Sequence, residues 1–282
     1  MPPFLIKCKD MLKTIFITGL AVLLSACGGG SDIGPVVTTL QAQSLRYGQT
    51  AVIYVGGQFL RSDMVADTGS CTNPTFSTSS TPSTAVLNCK VTAVGALPIT
   101  LKAANGQVLF STTLTVLPPQ VTLVTAKGNI VMELNAAEVP TTVNNFLSYV
   151  RSGFYSSTLF HRVIAGFVVQ GGGYTTGLVK KTGQLAPIVL ESNKGLLNTR
   201  ATVAMARTSV FDSATSEFFV NLVDTPRLNY QSPTDPGYAV FGTVISGMDV
   251  VDAIAALPTT TVNGNSDVPV ADITVTFASQ TQ

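Results

Sequence analysis

Apolar and polar residues alternate in the C-terminal half of the chain, and this pattern predicts short β-strands. Ile130, Met132 and Leu134 alternate directly after a Lys-Gly turn at 127–128. Together with the apolar run at 121–125 they predict a hairpin, since successive side chains of a strand point to opposite faces. Ile273, Val275 and Phe277 repeat the alternation near the end of the chain and predict a closing strand.

Two stretches of this half follow the helical period instead. The first begins at Pro140 and ends at Gly153, and the second covers residues 248–257 and is stopped by Pro258. Apolar side chains three and four positions apart share one face of a helix. The predicted inward residues are Val143, Phe146, Leu147, Val150, Val251 and Ile254.

The N-terminal half repeats a strand, turn, strand pattern between residues 35 and 117. Predicted strands cover 50–55, 85–91, 99–101 and 108–116, and an Asn-Gly pair at 105–106 predicts a tight hairpin turn. We predict a small immunoglobulin-like β-sandwich over 35–117 that serves as a spacer or docking module, although the Cys, Trp, Cys arrangement typical of that fold is missing. Pro118 and Pro119 mark a linker to a second domain at 119–282, because consecutive prolines cannot continue a ladder.

The composition supports a mainly β protein without a charged partner. The chain has no Trp and is rich in Thr, Val, Ser and Gly, which favours strands and turns. Only 11% of its 282 residues are charged and the net charge is +1, so no basic field would attract nucleic acid. A single His argues against a transition-metal site, and no cofactor is expected.

The first 26 residues have the pattern of an export signal. A basic Lys13 precedes an apolar run at 15–24, and Leu-Ser-Ala-Cys at 24–27 resembles a bacterial lipoprotein signal. We expect cleavage before Cys27, diacylation of its sulfur, and a flexible tether at 27–34. The alternative is an ordinary secretory signal with an incidental Cys27. Either Met1 or Met11 could be the start.

The remaining cysteines fit an exported protein. Cys8 lies in the discarded signal, which leaves Cys71 and Cys89 in the mature chain. In an oxidising compartment two such thiols usually pair, and we predict a disulfide that stabilises the fold by about 3 kcal/mol. The alternative is two reduced, buried thiols.

The candidate chemistry centres on the run FHRVIAGFVVQGGG at 160–173. It places a guanidinium (Arg162), a ring (Phe167) and an amide (Gln170) near alternate positions, with no nucleophile beside them. Such a surface suits binding a neutral peptide better than breaking a bond. Together with TRATVAMAR at 199–207, SATSEFFVN at 213–221 and YAVFGTVISGMDV at 238–250, this run resembles the cyclophilin-type peptidyl-prolyl isomerases, especially the bacterial periplasmic kind, over residues 121–277.

The resemblance implies a fold and an activity. The fold would be a closed eight-stranded antiparallel barrel capped by two helices, and the substrates would be proline-containing polypeptides. Arg162 would be catalytic and would stabilise the twisted amide. The implied substrate-binding residues are Phe167, Val168, Gln170, the backbone of Ala206 and Arg207, Glu217, Phe219, Leu228 and Tyr238.

Two positions depart from the family pattern. Glu217 stands where the family usually has Gln, and Arg227 where many members have an aromatic residue at the pocket rim. We expect the Glu217 carboxylate to pair directly with Arg162 and to offset part of its charge. Arg227 removes an aromatic wall and should alter both substrate preference and the affinity for cyclosporin, a further candidate ligand.

Two other functions compete with that of a membrane-anchored, periplasm-facing isomerase. One is a binding module that holds proline-containing segments without useful turnover. The other is a structural lipoprotein whose sandwich docks to an envelope partner. The combination of Arg162, Phe167, Gln170 and Phe219 favours the enzyme, whereas Glu217 and Arg227 keep the binding module open.

Overall fold

In the computed structural model, which describes residues 34–77 and 81–282, the chain is mainly β. The predicted signal peptide, the predicted acylation site Cys27 and the predicted tether up to residue 33 lie outside the described residues. The described part from Pro35 to Gln282 forms one compact unit. The domain boundary at Pro118–Pro119 therefore stays a prediction.

The N-terminal region consists of two antiparallel sheets. One has the strand order β1-β2-β5-β4 and the other β3-β6-β7. Their bounds are β1 (Val36–Ser44), β2 (Thr50–Gln58), β3 (Val65–Asp67), β4 (Cys71–Phe76), β5 (Thr84–Val91), β6 (Gly95–Lys102) and β7 (Val108–Val116). A disulfide joins Cys71 to Cys89 between β4 and β5, with 5.2 Å between their Cα atoms. The immunoglobulin-like assignment of this region stays a prediction.

The Asn-Gly pair at 105–106 forms the turn between β6 and β7. Gly106 has a φ of +86°, a conformation that glycine adopts at little cost. Its N–H donates to the carbonyl of Ala103 over 2.9 Å, and the N–H of Ala103 donates to Gln107 over 2.8 Å. The local sequence thus sets the register of this hairpin.

The C-terminal region is a closed antiparallel barrel with the strand order β10-β11-β15-β14-β16-β9-β8-β19, and two helices pack against it. This confirms the predicted fold class. The barrel strands are β8 (Gln120–Thr125), β9 (Gly128–Leu134), β10 (Thr158–Ile164), β11 (Val168–Gly171), β14 (Thr202–Met205), β15 (Phe218–Asn221), β16 (Val240–Ser246) and β19 (Thr274–Gln280). The helices are α1 (Pro140–Arg151) and α2 (Met248–Ala255), and the short strands are β12 (Tyr174–Thr175), β13 (Val179–Lys180), β17 (Thr259–Val262) and β18 (Asn265–Pro269).

Helix α1 packs against the barrel through a cluster of buried aromatic side chains. Phe146 is fully buried, and its ring centroid lies 4.9 Å from that of Phe241 and 5.1 Å from that of Tyr155. Phe218 meets the same ring edge-on at 5.5 Å. Such pairs add to the stabilisation that burial of the rings provides. The predicted helical face is therefore the one that packs.

Several sequence-based expectations need adjustment at element ends, and β2 and β6, for example, extend beyond the predicted 50–55 and 99–101. Helix α2 ends at Ala255, two residues before the predicted Leu257, although Val251 and Ile254 are buried as expected. Phe277 does not continue the inward alternation of Ile273 and Val275, since its side chain is 55% exposed. The register between β19 and β8 shifts between Val275 and Phe277, which turns Ala278 inward instead.

The N-terminal region contacts the barrel through a polar cluster at the end of α1. Arg151 donates from Nη2 to the carbonyl of Tyr47 over 2.7 Å and from Nη2 and Nε to Oε1 of Gln280 over 2.8 and 3.1 Å. Gln280 Nε2 also donates to the carbonyl of Tyr47, and Gln49 Nε2 donates to Gln280 Oε1. These bonds connect the two regions in addition to the Pro-Pro segment.

Within residues 34–77 and 81–282, no helix combines the length and the apolar character needed to cross a bilayer.

We expect Arg151→Ala to lower the free energy of unfolding by about 1–2 kcal/mol, because it removes charged hydrogen bonds that are only partly shielded from water. Urea titration of the full chain measures the loss. Arg46→Ala removes an exposed guanidinium from the neighbouring segment and should change the free energy by less than about 0.5 kcal/mol. Equal effects of the two substitutions would contradict a stabilising role for the Arg151 cluster.

Candidate functional site

The candidate site is a row of side chains that crosses neighbouring barrel strands. Arg162 on β10 pairs with Gln170 on β11, Gln170 with Phe219 on β15, and Phe219 with Ala204 on β14. Residues directly opposite each other on paired strands point to the same face of a sheet. The sheet register therefore brings the predicted cation, amide and ring together.

This row lies on the outer face of the barrel. The neighbouring residues along the same strands, Val169, Val203, Phe218 and Val220, belong to the main core inside the barrel. Phe219, Ala204, Val168 and Val240 form a separate small cluster. Since successive strand residues face opposite ways, this second cluster is the floor of a site on the outside.

A β-bulge aims Arg162 at this face. Between the pairs Phe160–Gly171 and Arg162–Gln170, strand β10 contains one extra residue, His161. A bulge of this kind redirects the side chains beside it and is common next to functional sites. As a result His161 is buried, with 8% exposure, while Arg162 stays half-buried opposite Gln170.

The row opens into a cavity of about 210 Å³, which we call the outer-face pocket. All but one of the predicted substrate-binding residues line it together with the predicted catalytic residue. Its lining residues are Arg162, Phe167, Val168, Gln170, Ala206, Arg207, Phe219, Leu228 and Tyr238. The exception is Glu217, which lines a neighbouring cavity behind Gln170.

The expected direct pair between Glu217 and Arg162 is wrong. Gln170 lies between them: its Nε2 donates to Oε2 of Glu217 over 2.9 Å, and its Oε1 accepts from Nη1 of Arg162 over 3.3 Å. The ionic partner of Glu217 is His161, whose Nε2 lies 3.3 Å from the same oxygen. Glu217 therefore orients the Gln170 amide, so that its oxygen faces the guanidinium.

Gly173 makes room for this carboxylate. A Cβ atom at this position would lie only 2.5–2.6 Å from side-chain atoms of Glu217, closer than real contacts allow. The last glycine of the QGGG run thus has a steric role beside Glu217.

The electrostatics keep Glu217 ionised. Burial alone would raise the pKa of Glu217, but hydrogen bonds from His161 and Gln170 and the charges of His161 and Lys180 hold it below its ordinary value. The stability that this ionised carboxylate contributes is present above the unfolded-state pKa and is lost as the pH falls through the lowered value. His161 Nδ1 is buried and has no hydrogen-bond partner among the described residues, so Nε2 is the ring nitrogen that faces Glu217.

The backbone beside the pocket offers fewer donors than the sequence suggested. The Ala206 N–H donates to the carbonyl of Glu217 over 2.9 Å, so it continues the sheet and is not available to a ligand. Within the described residues, the Arg207 N–H has no such partner. A peptide backbone could therefore bind to the Arg207 N–H and the Ala206 carbonyl.

Two guanidinium groups stack on rings at the pocket rim. The Cζ atom of Arg227 lies 4.6 Å from the centroid of Phe167, and that of Arg207 lies 4.7 Å from the centroid of Tyr238. Tyr238 in turn meets Phe219 edge-on at 5.5 Å. The rim therefore has planar walls even though Arg227 replaces an aromatic residue.

The residues that support the site from behind could not be recognised in the sequence. Asn198 Nδ2 donates to the carbonyl of Leu228 over 2.9 Å and so fixes one pocket wall, and Asn198 Oδ1 accepts from the buried Asn221. The only signal of this network in the sequence is the polar Asn221, which directly follows the apolar residues 218–220. The position of His161 beside Glu217 depends on the bulge in β10, which the sequence does not reveal.

No group of His, Cys, Asp or Glu side chains in the described ranges is arranged to hold a metal ion.

Comparison with known proteins identifies relatives of the barrel region. The family model described as "Cyclophilin type peptidyl-prolyl cis-trans isomerase/CLD" matches residues 120–279. A peptidyl-prolyl cis-trans isomerase from Streptomyces antibioticus is 52% identical over 160 residues, which are 56% of this chain and 96% of the relative. One from Acinetobacter baylyi is 54% identical over 50% of this chain and 74% of its own length. Peptidyl-prolyl cis-trans isomerase B of Escherichia coli is 47% identical over 55% of this chain and 95% of its own length.

We expect His161→Gln to raise the pKa of Glu217, because it removes a nearby charge and changes a hydrogen bond that favours the carboxylate. NMR titration of the Glu217 carboxyl carbon measures the change. Tyr174→Phe is the matched control: its ring keeps the 4.6 Å contact with His161 and only the hydroxyl is lost, so the Glu217 titration should match wild type. An unchanged pKa in His161→Gln would contradict the His161–Glu217 pairing.

Proposed function

The chain belongs to the cyclophilin-type peptidyl-prolyl cis-trans isomerases, and we propose that its outer-face pocket holds the prolyl ring while Arg162 stabilises the rotating amide. The observation that carries this proposal is the cross-strand row of Arg162, Gln170 and Phe219, which sets a fixed cation beside an apolar floor. No serine, cysteine or histidine of the described residues lines the pocket, which fits a reaction that breaks no bond.

The reaction requires charge stabilisation and no bond cleavage. Amide resonance opposes rotation about an Xaa-Pro bond with a barrier of about 18–20 kcal/mol. As the amide twists, its nitrogen regains a lone pair. A catalyst must bind this twisted state better than either planar isomer. A permanently charged guanidinium can donate a hydrogen bond to that nitrogen without transferring a proton.

The residues around Arg162 hold it ready for this role. Gln170 accepts from one nitrogen of the guanidinium, and Glu217 holds the Gln170 amide in the orientation that permits this bond. The remaining N–H groups of the Arg162 guanidinium have no hydrogen-bond partner in the described part of the chain. The Arg207 N–H and the Ala206 carbonyl would fix the substrate backbone, and Phe167, Phe219 and Leu228 would exclude water from the prolyl ring.

We further propose that the enzyme assists the folding of exported proteins while anchored to a membrane of the bacterial cell envelope. The lipoprotein-like sequence that ends at Cys27 supports the anchor, and the Cys71–Cys89 disulfide supports an oxidising compartment. Two acyl chains are needed for stable attachment. The N-terminal sheets would separate the barrel from the bilayer.

We expect Arg162→Ala to lower kcat/KM by about 10²–10³, the loss typical of removing a transition-state donor. Arg162→Lys keeps the charge but loses the planar guanidinium, so its kcat/KM should lie between those of wild type and Arg162→Ala. A protease-coupled isomerisation assay with an Ala-Pro peptide measures both, and thermal melting verifies the fold. The competing binding module predicts equally slow turnover in all three proteins. Activity above half of wild type in a folded Arg162→Ala protein would exclude the mechanism.

We expect Cys27→Ser to move the protein from the membrane fraction to the soluble periplasm, because acylation requires the thiol. Cys8→Ser is the matched control and should leave the fractionation unchanged. Immunoblots of fractionated cells measure both variants. Membrane association that survives Cys27→Ser would point to an uncleaved signal or a protein partner.

A further inference from the structure

The rim of the outer-face pocket has an excess of positive charge. Two of its nine lining residues are arginines, and none is acidic. Arg227 adds a third guanidinium through its stack on Phe167. A ligand in this pocket would therefore lie among three fixed cations.

Two of these cations are already engaged. Arg207 donates from Nε and Nη2 to the carbonyl of Gly237 over 3.0 and 2.9 Å, and from Nη1 to the carbonyl of Thr208 over 2.9 Å. Arg162 is bound to Gln170 and faces the site of rotation. Neither guanidinium is placed to select among substrate side chains.

Arg227 is different, because its guanidinium is held in place but has no polar partner. Within the described residues, nothing forms a hydrogen bond or an ion pair with it. The stack on Phe167 keeps the Arg227 guanidinium beside the pocket. The Leu228 carbonyl accepts hydrogen bonds from Asn198 Nδ2 and from the Tyr238 N–H, and these bonds fix the short helical turn at 226–228. The planar guanidinium of Arg227 is thus free to bind a carboxylate with two hydrogen bonds.

Neighbouring carboxylates do not neutralise this charge. Glu217 is turned away from the outer-face pocket, toward His161 and Gln170. Asp224, three positions before Arg227, accepts from the backbone N–H of Arg200 over 2.8 Å. No carboxylate of the described residues forms an ion pair with the Arg227 guanidinium, so an acidic side chain of a substrate could bind it directly.

We propose that Arg227 determines specificity and favours proline segments with an Asp or Glu side chain adjacent to the proline. This inference rests on the proposed function of the outer-face pocket. Arg227, which stands where many family members have an aromatic residue, would thus recognise acidic substrates.

The test uses two series of proline-containing peptides, with Glu, Gln or Lys placed immediately before or immediately after the proline. In at least one series, wild-type kcat/KM should be about two- to fivefold higher for Glu than for Lys at roughly 0.01 M ionic strength, and this ratio should approach one at about 1 M. Arg227→Gln should abolish the preference, and Arg227→Glu should reverse it. Lys90→Gln, which removes one exposed positive charge from β5 of the N-terminal region, should preserve it.

The outcomes separate this inference from the proposed function on which it rests. Equal turnover of the Glu, Gln and Lys peptides by wild type in both series would overturn the role of Arg227 alone. The same conclusion follows if Arg227→Gln keeps the wild-type ratio. Absence of turnover on every peptide, the neutral Gln peptides included, would overturn the proposed function and this inference together.

Discussion

The register of the closed barrel is the constraint on which the site depends. Arg162, Gln170, Phe219 and Ala204 share a face only because four strands pair in one alignment. A slip of one residue on any strand would turn its site residue toward the interior and its core residue toward water. Closure strengthens this constraint, because each strand has two paired neighbours and none is a free edge. The core that packs inside the barrel thus also fixes the chemistry outside it.

The negative and positive charges of the site lie on opposite sides of the Gln170 amide. On one side, Glu217 is paired with His161 and hydrogen-bonded to the amide. On the other side, Arg162 faces the pocket, and Arg207 and Arg227 stand at its rim. The carboxylate acts on Arg162 through the orientation of an amide rather than through direct neutralisation. The guanidinium keeps its positive field where a twisted amide would need it.

The sequence predicts the regular parts of this molecule better than its irregular ones. Strand β7, the β8–β9 hairpin and helix α1 follow from period and turn residues alone, and the pocket residues follow from motifs in the right order. The partner of Glu217 could not be predicted, since it depends on the extra residue at His161, which interrupts the period of two. The prediction that Phe277 faces inward is wrong for the same reason, because the register shifts between Val275 and Phe277. The stack of Arg227 on Phe167 joins residues 60 positions apart and has no local pattern.

The contact between the N-terminal region and the barrel also affects how the pocket is presented. Arg151 and Gln280 bind Tyr47 from the end of α1 and from β19, whereas the pocket residues come from β10, β11 and β15 and from nearby loops. None of the described residues that line the pocket belongs to the N-terminal region, so these contacts lie away from the pocket. Hydrogen bonds on both sides of the Pro-Pro segment also limit how far the barrel can turn relative to the N-terminal sheets. Within the described residues, the barrel and its pocket would therefore keep a restricted range of orientations relative to the N-terminal sheets.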